Sequence, residues 1–179
     1  MCPMRRWHLV GGLFTTLLIV CPTGALAKGA MPEPPAQAQA VLDGRLIPLV
    51  DVVNHHCHDL DVAVYRCFDT EAERDADALT LLGDGLLGPL GSTSLSYALA
   101  YSAINYGGSS LLISSSIANL GTIGWNDVIS SFKSTNGGRP KWWAAANYSG
   151  ASWQWVASAW VPYVGDDAND RFSSVKNVP

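Results

Sequence analysis

Hydrophobic positions change texture three times along this 179-residue chain. Residues 9–20 form an apolar run behind Arg5 and Arg6, and Ala25-Leu26-Ala27 follows as a small-x-small site. A positive head, a short apolar stretch and a small-residue cleavage site make an export signal, and the run is too short to span a bilayer comfortably. Residues 1–27 are therefore expected to be a signal peptide, removed after export. Residues 28–40 are rich in Pro, Ala and Gln with no apolar period, as in a flexible linker. Residues 41–92 read as a small extension. In it, 46–50 and 62–65 look like short strands, and 70–82 looks like a helix opened by a Thr70-x-x-Glu73 capping box. Asp84-Gly85 and Gly88-Pro89 end that helix.

From residue 93 to 179 the texture is different. Charge is sparse, Ser, Gly and aromatics are dense, and short apolar runs alternate with turn residues. The period-two alternation of Trp153-Gln154-Trp155 suits a half-buried strand. Asn136-Gly137-Gly138 marks a turn between two similar halves. Each half offers four candidate strands, which predicts about eight short antiparallel strands and a Greek-key sandwich.

The halves share more than texture. The first reads Tyr101, four residues, Tyr106, one residue, Gly108, and later Asn126-Asp127-Val128-Ile129-Ser130-Ser131. The second reads Trp143, four residues, Tyr148, one residue, Gly150, and later Asn169-Asp170-Arg171-Phe172-Ser173-Ser174. The aromatic element recurs at an offset of 42 residues and the Asn-Asp-x-x-Ser-Ser element at 43. A folded-over hairpin needs glycine where φ turns positive, and flanking aromatics can hold it shut. Asn-Asp-x-x-Ser-Ser supplies carboxylate, amide, hydroxyl and carbonyl oxygens, the hard donors that calcium takes six to eight at a time. Each copy is too poor in oxygens for a full shell. Two copies about a pseudo-two-fold axis can share ligands and form two sites. The plain alternative is a pair of ordinary turns, because Asn, Asp and Ser favour turns by local hydrogen bonding.

These paired motifs resemble the βγ-crystallin module, particularly its calcium-binding microbial kind, over about residues 94–178. The resemblance implies a mainly β, two-Greek-key β-sandwich, and the residues before it are read as a small N-terminal extension clipped by a disulfide and containing a short helix. It implies about two calcium ions. Asp127 and Asp170 would be side-chain ligands. Ser130 and Ser173 would each supply a hydroxyl to a site built mainly by the opposite motif. Val128 and Arg171 would lend carbonyls, as would Ser102 and Ala144, while Asn126 and Asn169 would hold the loops or ligate. Tyr101, Tyr106, Gly108, Trp143, Tyr148 and Gly150 would be structural.

Composition narrows the remaining choices. Removing Arg5 and Arg6 takes the formal charge from −4 to −6, which argues against a nucleic-acid partner. No second apolar run is long enough for a membrane span. Cys2 and Cys21 leave with the signal, so Cys57 and Cys67 are expected to form a disulfide after export, with two buried thiols as the alternative. His55-His56-Cys57-His58-Asp59 tempts a transition-metal reading, but adjacent histidines on an extended segment point apart. An exposed polar loop is expected there, and a solvated acidic face on the following helix. No nucleophile elbow, phosphate loop or paired catalytic carboxylates occur, so no enzyme activity is expected. The expectation is an exported calcium-binding structural module, with two alternatives: a secreted peptidase inhibitor of similar fold, whose partner would be a peptidase, and a carbohydrate-binding module using exposed tryptophans.

Overall fold

The computed structural model describes residues 38–61, 63–83 and 96–177. The expected signal peptide, most of the 28–40 linker and the turn residues Asp84, Gly85, Gly88 and Pro89 lie outside the described residues. In chain order the elements are β1 (Gln39–Leu42), β2 (Arg45–Ile47), β3 (His56–Asp61), β4 (Val64–Phe68) and α1 (Glu71–Gly83). There follow β5 (Ala98–Ala103), β6 (Gly107–Ile113), β7 (Ser131–Ser134), β8 (Lys141–Ala145), β9 (Ser149–Gln154), β10 (Trp160–Val161) and β11 (Ser174–Lys176). Among the described residues no helix is long and apolar enough to cross a membrane.

The two repeats build matching halves. β5 pairs antiparallel with β6 and β7, and β8 pairs antiparallel with β9 and β11. The third strand of each repeat crosses to the other's sheet. β10 pairs with β7, and Ile117 makes a single antiparallel bridge to Val175. This exchange makes the mainly β, two-Greek-key sandwich expected from the repeat, with the third strand of the first copy reduced to one bridge. Alternation along the strands sends Ala98, Ala100, Leu111, Ile113 and Phe132 inward from one sheet, against Trp142 and Val175 of the other. The centre is aromatic. Phe132 and Trp142 lie 5.5 Å apart, Trp142 and Phe172 5.1 Å, and Phe132 and Trp155 5.0 Å between ring centroids. The first pair is tilted, the second stacked and the third edge-on, arrangements that suit the aromatic quadrupole.

The extension enlarges the first sheet. Its strand order is β10-β7-β5-β6-β3-β4-β1-β2, whereas the second sheet is only β11-β8-β9. β3 runs parallel to β6, with His56, Cys57 and His58 opposite Ser110, Leu111 and Leu112. An edge that no described strand covers on β9 is therefore covered on β6 by this chain itself. Cys57 and Cys67 stand opposite each other on β3 and β4, joined by the expected disulfide with an S–S distance of 2.07 Å. Helix α1 lies over the outer face, where Ala78 and Leu81 meet Leu60, Tyr97, Leu99 and Leu112. Its capping box forms as the sequence predicts. The Thr70 N–H donates to Glu73 Oε2 at 3.1 Å, and the Glu73 N–H to Thr70 Oγ1 at 3.3 Å.

Several local expectations are corrected. The strand expected at 46–50 stops at Ile47, because Pro48 has no N–H and its carbonyl accepts from Asp51 N at 2.9 Å, opening a 3-10 turn over Leu49–Asn54. The strand expected at 62–65 begins at Val64, after Ala63 turns with φ 60°. The polar stretch from His55 to Asp61 is not an exposed loop. It is largely β3, and His58 is fully buried. Nor is the acidic helix face merely solvated. Asp77 pairs with His58 at 2.8 Å and Arg66 at 2.9 Å, and Glu71 and Asp75 pair with the fully buried Arg74 at 3.2 and 2.7 Å. Arg74 also donates to the buried Ser110 hydroxyl. A buried guanidinium needs partners, and Glu71 one turn earlier and the adjacent Asp75 supply them.

Candidate metal centre

The repeated motifs meet at two related places, and backbone geometry explains why. Asn105, Tyr106 and Gly108 have φ of 55°, 63° and 74°, and Asn147, Tyr148 and Gly150 have 57°, 59° and 79°. Each hairpin thus folds over through left-handed residues, with Gly at its last such position. At Gly108 a Cβ would lie 2.2 Å from Ser102 Oγ, so a side chain there would have to displace that hydroxyl. The aromatics pack edge to face across each fold as expected. Tyr101 and Tyr106 are 5.7 Å apart, and Trp143 and Tyr148 5.5 Å.

The last serine of each motif locks its hairpin. Ser131 Oγ donates to the Ala103 carbonyl at 2.6 Å and accepts from Tyr106 N at 3.0 Å. Ser174 repeats this with Ala145 at 2.7 Å and Tyr148 N at 3.0 Å. The sequence pattern contains this serine but gave it no role. Its recurrence at the same place in both copies was the available signal.

The serine before it faces a different group. Ser130 Oγ lies 3.3 Å from the Ser102 carbonyl oxygen and 3.5 Å from Asp170 Oδ1. A hydroxyl of the first repeat therefore lies near both a carbonyl of its own repeat and a carboxylate of the second. On the other side Ser173 Oγ lies 3.1 Å from the Ala144 carbonyl. The Asp127 N–H donates to the Phe172 carbonyl at 3.0 Å, next to Ser173, just as the Asp170 N–H reaches the Ile129 carbonyl at 3.4 Å, next to Ser130. Both aspartates are left-handed, with φ 54°, which Asp tolerates better than most side chains. Asn126 Nδ2 donates to Asp127 Oδ2 at 2.7 Å, and Asn169 Nδ2 to Asp170 Oδ2 at 2.8 Å. The asparagines thus orient the carboxylates from their outer side. Val128 is half-buried against the core, and Arg171 is exposed, its guanidinium 2.9 Å from the Asp167 carbonyl and 5.5 Å over the Trp153 ring.

The donor set is all oxygen. Two oxygens about 2.4 Å from one calcium ion and at right angles to each other are about 3.4 Å apart. The 3.3 and 3.5 Å separations around Ser130 match that spacing, whereas good hydroxyl hydrogen bonds are shorter, near 2.7–2.8 Å. Among the described residues no group of three or more His, Cys, Asp and Glu gathers as metal ligands. An ion at these loops would therefore be held mostly by neutral oxygens. The histidines that tempted a transition-metal reading are employed elsewhere. His56 Nδ1 bonds Ser110 Oγ at 2.8 Å, and His58 Nε2 bonds Asp77. Of the tryptophans, Trp125 and Trp142 are fully buried, Trp143 closes a hairpin, Trp153 and Trp155 pack on Phe172, and Trp160 is 67% exposed.

No family model and no curated protein matches the chain. Solved structures do. A βγ-crystallin domain from Clostridium beijerinckii is 30% identical, matched over 95% of its length and 45% of this chain, with a TM-score of 0.41. A double mutant of that domain is 34% identical over 94% of its length and 45% of this chain, with a TM-score of 0.40. A βγ-crystallin from Ciona intestinalis is 25% identical over 99% of its length and 46% of this chain, with a TM-score of 0.42.

Proposed function

The chain belongs to the βγ-crystallin family, and from that premise we propose that its two Asn-Asp-x-x-Ser-Ser loops bind calcium and that the ions stabilise the sandwich. Asp170, Ser130 and the Ser102 carbonyl would hold one ion. Asp127, Ser173 and the Ala144 carbonyl would hold the other, with the Val128 and Arg171 carbonyls and water completing the shells. The bound ion supplies no chemistry beyond charge. It replaces long, weak hydrogen bonds with short ion–oxygen contacts that tie the two motifs together.

One observation carries the reading: Ser130 Oγ sits between a carbonyl and a carboxylate from different repeats at the spacing of neighbouring calcium ligands. With about one carboxylate per site, affinity is expected to be micromolar to sub-millimolar. At a hundredfold excess of calcium, each ion would stabilise the fold by about 2.7 kcal/mol. The setting that suits such a module is outside the cytoplasm, where calcium is plentiful and the buried Cys57–Cys67 bond persists. Thermal melts in calcium and in chelator are the test. The midpoint should rise by several degrees with calcium, and identical midpoints at saturating calcium would sink the proposal.

A further inference from the structure

Resting on the calcium reading, we propose that the two sites are unequal, with the Asp170 site tighter because Asp166 and Asp167 charge its loop while the extension keeps acids out of the matching positions of the first repeat. At the 43-residue offset, Asp166 and Asp167 correspond to Ile123 and Gly124. These pairs sit in opposite surroundings. Asp166 and Asp167 are exposed in a turn where the Ala168 and Asn169 N–H groups both bond the Gly165 carbonyl, at 3.0 and 2.9 Å. Asp166 is four residues from Asp170 around that turn, and its Oδ1 accepts from Tyr163 Oη at 2.5 Å. The Tyr163 hydroxyl titrates above its ordinary range, first through this hydrogen bond, and the charge of Asp170 adds to the effect. Asp166 is thereby tied to Tyr163 within the same loop as Asp170.

Ile123 is buried, and Gly124 has φ 78° with no room for a side chain, since a Cβ there would lie 2.3 Å from the Val50 carbonyl. Val50 belongs to the 3-10 turn of the extension. The extension thus packs on the first repeat's loop and excludes the acids that the second repeat carries. Residues 166–171 hold three carboxylates and one guanidinium, and residues 123–128 hold one carboxylate. The net difference is one negative charge. At about 8 Å from a divalent ion in water, one charge changes affinity about fivefold in dilute salt, and screening shrinks this. Asp166 and Asp167 act here as field, with Asp170 as the ligand.

Calcium titration of the full chain by calorimetry, with Ser130→Ala, Ser173→Ala and the surface double variant Asp166→Asn/Asp167→Asn, tests this. Wild type should show two phases about fivefold apart. Ser130→Ala should weaken the tighter phase and Ser173→Ala the weaker one. The double variant removes two charges, so it should weaken the tighter phase by up to about 25-fold in dilute salt while its chelator melt stays near wild type, and 0.5 M salt should narrow the wild-type gap. A single class of equal sites, a tighter phase that follows Ser173, or a double variant that titrates like wild type would overturn the inference and leave calcium binding standing. No saturable heat in wild type up to 10 mM calcium would overturn both.

Discussion

Ser130 and Ser131 are neighbours in the chain, and both are buried, yet the structure gives them separate tasks that melting experiments can tell apart. Ser131 makes two short hydrogen bonds that hold the first hairpin, to Ala103 at 2.6 Å and from Tyr106 N at 3.0 Å. Ser131→Ala removes both, at about 1 kcal/mol each, and leaves a partly buried N–H and C=O short of partners. The expected loss is about 2–3 kcal/mol, or about 6–9 °C for a fold of this size. That loss should be the same in calcium and in chelator. Among the described residues the Ser130 hydroxyl makes only the 3.3 and 3.5 Å contacts, at the limit of hydrogen bonding. Ser130→Ala should therefore cost less than about 1 kcal/mol in chelator. In calcium it should lose up to about 2.7 kcal/mol more, the share of one ion at a hundredfold excess. Scanning calorimetry of wild type and both variants, each with 1 mM calcium and with chelator, gives the comparison. If Ser130→Ala kept the full calcium-dependent rise, or if both variants lost the same amount in chelator, the division between a locking serine and a ligand serine would be wrong.

Acid should loosen the extension first. His58 Nδ1 accepts from Leu60 N at 3.3 Å while Nε2 reaches Asp77, so the ring is held neutral, and burial depresses its pKa below 6.5. Because the unfolded chain takes up this proton more readily than the fold, stability is full above the unfolded pKa and is lost as pH falls through it. His56, depressed mainly by burial, has the same sign. Urea midpoints should thus fall between pH 7 and pH 5.5, by up to about 1.4 kcal/mol per pH unit for each histidine, and a flat profile would contradict this. Replacing Cys57 and Cys67 by serine opens a loop of 10 residues and should cost about 2–3 kcal/mol, read as a lower urea midpoint. Gly108→Ala should be worse than Gly150→Ala. Both have positive φ, but the new Cβ meets Ser102 Oγ at 2.2 Å in one case and Ala145 Cβ at 3.5 Å in the other. Because Ser102 would shift, Gly108→Ala should also weaken the Asp170 site in calcium titration, whereas Gly150→Ala should leave that site unchanged.

How much of this was legible beforehand depended on whether a residue's task is local or long-range. The hairpins and loops were readable because positive φ, an aromatic clasp and an Asn-Asp turn impose their chemistry within a few residues, and the chain states it twice. Thr70 and Glu73 were readable for the same reason. What escaped was pairing between distant parts. β3 spells His-Cys-His-Asp-Leu-Asp, a composition that argues for solvent, but β6 lies alongside it and α1 lies above. Strand pairing across more than fifty residues has no local signature, and once it forms, the polar groups it buries need partners. Arg74, His58 and Ser110 are those groups, and the helix acids that looked solvated are the partners. The same contact surface accounts for the departure from symmetry. An acid at position 124 could not seat against the Val50 carbonyl, so the extension and the missing acid at that position of the first loop are one structural choice.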